Sequence, residues 1–295
     1  MPVYTQRYRF WEGRLTPRWL RWTVITRYHL RQSFSGKSRT AITALVAISV
    51  AICFAFLAYI YLRANVSLLT LIGVRLPRLP PVNREFFLYA IEAQAFVIGL
   101  LTLVVGSNLI ADDRRDNAIP LYLSKPLTRL DYLIGKFSVL AFFLLCVTAV
   151  PANLLFVFEA LMEGGWAFVK GNWALPLALT GFSFLITALC GAVMLMASSL
   201  VKKGAVAGIV VIGLFVGHNV LAGILSGVFR SPKLRLFSLL FDMDRIGLWV
   251  IVGDNSRRLR DFRFTGPEAL GVVLAVTAAC ALILWVRIRP VEVVK

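Results

Sequence analysis

Apolar residues run along this chain in six long blocks, and charge gathers between the blocks rather than within them. A helix needs ~20 mainly apolar residues to cross the hydrocarbon core of a bilayer. The stretches Thr40–Leu62, Phe86–Ile110, Phe137–Phe158, Trp173–Leu200, Ala205–Leu225 and Pro267–Val286 meet that length. The pattern predicts an all-α membrane protein with six transmembrane helices. The sequence VKKG alone separates the fourth and fifth blocks, which predicts a tight helical hairpin. The first block starts too far from Met1 and is too long for a signal peptide, so no cleavage is expected.

Two segments depart from the pattern. The loop Ser226–Gly266 contains RLFSLLFDMDRIGLWVIVG, apolar enough to raise the question of a seventh span. Asp242, Asp244 and Arg245 would then sit near its centre, each at about 2.5–3.5 kcal/mol on insertion scales. Short re-entrant or interfacial helices before span six fit this loop better. Ahead of the first block, Trp19, Trp22, Tyr28 and Phe34 mix with Arg18, Arg21, Arg27 and Arg31. This composition suits an N-terminal interfacial helix, begun by Thr16-Pro17 as cap and first position. The expected organisation is a cytoplasmic or interfacial segment, 1–39, followed by one membrane domain, 40–295.

Composition agrees. The chain has 295 residues, is 59% apolar and only 16% charged, against about 25% charged for soluble domains. A net charge of +17 would suit nucleic acid, but the basic residues flank the apolar blocks. That is the arrangement expected for a membrane lipid surface and not for nucleic acid. The N-terminal segment, the loop between blocks two and three, VKKG and the tail together hold 19 Lys and Arg, against 13 in the other connections. The bias predicts both termini in the cytoplasm; a bacterial inner membrane is the expected setting.

Catalytic and metal-binding patterns are absent from the sequence. SGKS at Ser35–Ser38 resembles the end of a phosphate loop, but Arg31 stands where its first Gly is required. Cys53, Cys146, Cys190 and Cys280 each lie in an apolar block with no CxxC spacing, so neither a disulfide framework nor a metal site is expected. Glu92 is an intramembrane carboxylate; a functional role and a simple reach to headgroups or water carry equal weight. His218 and Asn219 sit in the fifth block, where a hydrogen bond to a neighbouring helix is expected. Gly208, Gly213 and Gly217 belong to small-xxx-small pairs in that same block. They read either as packing within the bundle or as a seam with another subunit.

The loop between blocks two and three holds nine charged residues from Ile110 to Ser138, with leucines threaded among them. Leu121, Leu123, Leu127 and Leu130 suggest a short amphipathic helix, Pro126 ends it, and Lys136 reads as an interface anchor. Apolar side chains facing the cytosol need a cover, which a soluble partner would supply.

The run DDRRDNAIPLYLSKPLTRLDYLIGK resembles the signature of ABC-2-type transporter permeases. Asp113, Arg114 and Asp116 match its charged start, and Leu121, Leu123 and Ser124 its middle. Pro126, Leu127, Thr128 and Arg129 match its turn, and Gly135-Lys136 its close. Asn117-Ala118 and Pro120 depart from the usual pattern. The resemblance implies a coupling helix between spans two and three that docks on a separate ABC ATPase subunit. It also implies a second permease chain, as homodimer or related heterodimer. No cofactor is then expected in this chain, and ATP and Mg belong to the partner ATPase. The chain would be the non-catalytic permease subunit of an exporter, or would work on an extracytoplasmic partner. The alternatives are a membrane scaffold or anchor built on the same fold and, further off, an intramembrane lipid-modifying enzyme.

Overall fold

The computed structural model describes residues 17–35, 38–66, 79–119, 122, 127–253, 256, 258–259 and 262–288. Among them there is no strand, and six helices are long and apolar enough to cross a membrane. Span 1 is Arg39–Ala64, span 2 Arg84–Arg115, span 3 Arg129–Met162, span 4 Leu175–Leu200, span 5 Gly204–Val228 and span 6 Gly266–Arg287.

Each boundary has a local cause. Asn83 caps span 2 by accepting a hydrogen bond from the Phe86 N–H. Spans 3 and 6 open with reciprocal capping boxes, Thr128 with Asp131 and Thr265 with Glu268. Spans 2 and 3 run longer than a bilayer needs, and both are interrupted. Span 2 breaks its regular ladder at Gln94 and Ser107. Gln94 is buried and donates its amide to the Ser49 carbonyl, tying span 2 to span 1. Span 3 breaks at Thr148, three residues before Pro151, whose missing N–H leaves a gap in the helical ladder.

Span 4 is the central helix, with 61% of its apolar window buried inside the molecule. Spans 1 and 6 reach 22% and span 5 only 11%. These three therefore turn most of their apolar surface outward, to lipid or to another chain.

The helix Arg21–Ser35 lies against the start of span 3. A short turn, Arg18–Leu20, precedes it, and the Leu20 N–H bonds the Pro17 carbonyl; Thr16 lies outside the described residues. Its inward row is Trp22, Ile25, Thr26 and His29, a helical i, i+3, i+4, i+7 stripe. Trp19, Tyr28 and Phe34 are exposed.

Before span 6 the chain makes a turn at Pro232–Phe237, a helix at Leu239–Gly247 and a π-helical turn at Leu248–Val252. The last two together are too short to cross a bilayer, so no seventh span forms among the described residues. Arg245 is buried and donates from Nε to the Phe264 carbonyl at 3.0 Å. Asp242 is fully buried, and neither carboxyl oxygen has a hydrogen-bond partner among the described residues. Burial pushes its carboxyl up to about 8, so the group is carried protonated at neutral pH.

Candidate functional site

The charged loop is anchored by a buried junction that joins span 2, span 3 and the N-terminal helix. Lys136 lies one turn beyond Tyr132 on span 3 and is completely buried. Its ammonium has three protons and three acceptors: Asp113 Oδ2 at 2.6 Å, the Leu109 carbonyl at 2.6 Å and His29 Nε2 at 2.8 Å. Tyr132, also fully buried, donates its hydroxyl to the same Asp113 oxygen at 2.7 Å. The Tyr132 ring lies 5.4 Å from the ammonium, and the Tyr122 ring 5.9 Å away. A buried charge is tolerable only when paired and hydrogen-bonded, and here every donor of the lysine is used.

The reading of Lys136 as an interface anchor is therefore corrected. A lysine can extend to water when its surroundings allow. Here the N-terminal helix closes over it and supplies His29 instead. Gly135 explains how that helix comes so near. A Cβ at this position would lie 2.9 Å from Ile25 Cβ and 3.0 Å from the Trp22 carbonyl. Thr26 completes the contact by donating its hydroxyl to the Gly135 carbonyl at 3.1 Å.

A charged Lys136 can only donate, so His29 Nε2 is assigned as acceptor of that hydrogen bond, with the neutral imidazole's own proton on Nδ1. Burial first, and the Lys136 charge second, hold its pKa down to about 4, from an ordinary 6.5. The undocked helix binds a proton before the docked one does. Docking is thus fully favoured above about pH 6.5 and weakens as pH falls towards 4. Hydrogen-exchange protection of Trp22–His29 should fall across that window, and His29→Gln, which keeps an acceptor, should flatten the profile. Protection of the unaltered chain that stays constant from pH 7 to 4 would contradict this assignment.

A second knot holds the end of span 2 to span 4. Where span 2 breaks at Ser107, the Ile110 and Ala111 N–H groups turn to Ser198 Oγ, at 3.1 and 2.9 Å. The Ser198 hydroxyl donates to the Ser107 carbonyl at 2.8 Å. Arg114 donates to the Ser199 carbonyl. Gly204, which opens span 5, sits directly over the Asn108 side chain, with no room for a Cβ.

The remaining signature residues divide between the surface and the undescribed part of the loop. Asp116 is exposed and pairs with Arg115, which also meets Asp112 at 3.0 Å. Asn117 takes a left-handed backbone, φ 49°, at the turn out of span 2. Thr128 caps span 3, Leu127 is half-buried, and the Arg129 guanidinium lies 5.9 Å over the Trp285 ring of span 6. Leu121, Leu123, Ser124 and Pro126 lie outside the described residues.

The intramembrane polar candidates do not join this junction. Glu92 sits at the opposite end of span 2 and pairs with Arg258 at 3.1 Å, which in turn meets Asp244 at 2.7 Å. Asn219 accepts a hydrogen bond from the Ser238 hydroxyl at 2.8 Å, an interhelical bond of the expected kind. His218 Nδ1 is buried with no hydrogen-bond partner among the described residues. In span 5, Gly208 packs near Leu103, whereas a Cβ at Gly213 or Gly217 would meet nothing within 4 Å. Those two belong to a π-helical turn, Gly213–Gly217, on the outward face.

Sequence reading missed His29, Tyr132 and Ser198. His29 is 107 residues from Lys136, so no local spacing joins them. Tyr132 and Lys136 stand four apart on one helix, the available signal that they share a face. The capping boxes were readable as T-x-x-D and T-x-x-E ahead of apolar runs.

A comparison with curated proteins finds no match. The family model described as "ABC-2 family transporter protein" matches residues 25–283, from the N-terminal helix through all but the last turn of span 6. With six membrane-spanning helices and that match over most of its length, this chain belongs to the ABC-2 family of transporter proteins and is an integral membrane permease subunit.

Proposed function

We propose that this chain is the membrane half of an ATP-driven transporter and that its charged loop takes force from a separate ATP-hydrolysing subunit. The observation that carries the proposal is the Asp113–Lys136–Tyr132 junction. It clamps the two ends of the loop to each other and to His29 of the N-terminal helix. A push on the loop is then delivered to spans 2 and 3 together instead of being absorbed by slack chain. The apolar Leu121 and Leu123, with Pro126 and Arg129, supply the docking surface, and Arg129 is suited to a carboxylate on the ATPase. ATP and Mg are bound by that partner, and this chain catalyses nothing itself. Both termini lie on the side of the ATPase, the cytoplasm of a bacterial cell.

The test is co-purification. Leu121→Asp with Leu123→Asp should lower the ATPase recovered with the chain by about tenfold or more, the equivalent of ~1.4 kcal/mol or above, while six spans still insert. Undiminished ATPase would sink the docking role.

A second permease chain completes the transporter, and span 5 forms its seam. The open glycine face at Gly213 and Gly217 supports this, because membrane helices associate through close packing and not through expulsion from water. Cysteines placed along 205–225 in two chains should cross-link between chains, and Gly213→Leu should weaken pairing. Gly271→Leu, on span 6 with equal room around it, is the matched comparison. Gly106 is unsuitable for that purpose, since a side chain there would strike Met194 and Leu140 within the same chain. Absence of any inter-chain cross-link in an intact transporter would place the seam elsewhere.

A further inference from the structure

At the end of the bundle away from the charged junction, spans 2, 4 and 5 and the helix Leu239–Gly247 line a partly open cavity of about 770 Å³. That volume lies in the range of pockets that bury a drug-sized ligand. Its body is apolar, walled by Leu100, Leu103, Ile186, Phe215 and Met243. The π-helical turn Gly213–Gly217 supplies part of the span 5 wall, and such turns frequently mark functional positions.

One part of the wall is different. Glu92, Asp244 and Arg258 all line the cavity and are linked to each other. Arg258 Nη2 serves Asp244 Oδ1 at 2.7 Å, and Nη1 lies 3.1 and 3.3 Å from the two Glu92 oxygens. Only the Glu92 Oε2 contact has hydrogen-bond geometry, and Oε1 is buried with no partner among the described residues. The guanidinium is further held 5.1 Å over the Tyr89 ring. Two carboxylates thus face one guanidinium whose Nη groups are already committed. The surplus is one formal negative charge, beside an apolar cavity.

We infer that this cavity binds a single-chain cationic amphiphile, its ammonium head between Glu92 and Asp244 and its tail between spans 2, 4 and 5. An ammonium head supplies N–H donors to the carboxylate pair and balances the second carboxylate. An anionic head would face both carboxylates with no free cation among the described groups of the site. The tail replaces empty space with apolar contact along Leu103 and Phe215. The inference is independent of ATPase coupling, because binding is measured with no ATPase present.

The experiment uses the full chain in lipid nanodiscs and radiolabelled dodecylamine, which is positively charged at neutral pH. Saturable binding of one molecule per chain is expected, with dodecyl sulfate at least about tenfold weaker as a competitor. Glu92→Gln with Asp244→Asn should weaken dodecylamine by about tenfold or more, the scale of one lost charge-assisted contact. That pair of changes also frees Arg258 and disturbs the site itself, so a second variant is needed. Gly99→Trp provides it. Gly99 lines the cavity, and a Cβ there meets nothing within 4 Å. The indole then occupies the tail chamber without touching the charged groups, and binding should be lost. No saturable binding would overturn the inference. So would binding unchanged by Gly99→Trp, or dodecyl sulfate competing as well as dodecylamine.

Discussion

Lys136→Met should destabilise the folded chain by about 3–5 kcal/mol, the range for stranding one member of a buried ion pair. Methionine fills much of the same volume, so the loss is electrostatic and not a cavity. Asp113 would remain buried with the Tyr132 hydroxyl as its remaining side-chain donor among the described residues. The Leu109 carbonyl and His29 Nε2 would each lose the lysine as donor. The second variant gives the logic its check. Asp113→Asn combined with Lys136→Met removes both charges, so no uncompensated ion stays in the interior. Double replacement of buried pairs is often close to neutral, and the pair should therefore recover most of the lost stability. The measurement is reversible unfolding in detergent for the single and double variants, read as a double-mutant cycle. A Lys136→Met chain as stable as the original would show that this charge is solvated and that the junction does not clamp the loop.

Ser198→Ala is the second large effect. The hydroxyl removed accepts from two backbone N–H groups and donates to one carbonyl, all at the break in span 2. The regular ladder is interrupted at Ser107, so this stretch leans on the hydroxyl for its backbone N–H groups. A buried donor left unsatisfied costs about 1–3 kcal/mol, so two of them predict about 2–6 kcal/mol. The adjacent Ser199 is the internal comparison. It is equally buried, but its hydroxyl bonds only the Met196 carbonyl of its own helix. The bond from Arg114 goes to the Ser199 backbone, which alanine keeps. Ser199→Ala should therefore change stability by less than about 1 kcal/mol. Equal effects of the two changes would mean that Ser198 is an ordinary core residue and that span 2 does not hang from span 4 through it.

The two effects mark where the sequence could and could not be read. All six spans were legible, because a run of ~20 apolar residues has few other solutions in a chain this poor in charge. The absence of a seventh span was legible for the converse reason, the cluster Asp242, Asp244 and Arg245. The signature residues were legible as a group, but their division of labour was not. Lys136 stands at the edge of an apolar run, the usual place for a residue that reaches to headgroups. What decides its fate is a helix more than a hundred residues earlier, whose His29 and Ile25 fit over Gly135. Long-range fits of that kind leave no trace in local spacing. Glu92 and Arg258 are a further example, 166 residues apart and brought together by the segment before span 6. Ser198 lies within a long apolar helix, where a serine ordinarily bonds back to its own turn. Its three cross-helix bonds follow from a break in another helix.

These placements give the loop a mechanical meaning. Asp113 and Lys136 are both buried; under the proposed function they position the docking segment and do not themselves meet the ATPase. The Gly135-Lys136 close of the signature thus reads as a joint between the N-terminal helix and span 3, with Gly135 allowing the approach and Lys136 filling it. On that proposal, contact with the partner falls to the stretch between them, around Leu121 to Arg129.

The most direct measurement of this account is a photo-activated cross-link from position 123, made in intact membranes with the chain otherwise unaltered. The account predicts one dominant product, a soluble polypeptide that carries a G-x-x-x-x-G-K-[ST] phosphate loop and hydrolyses ATP. A folded, inserted chain whose position 123 cross-links only to lipid or to its own residues would contradict it.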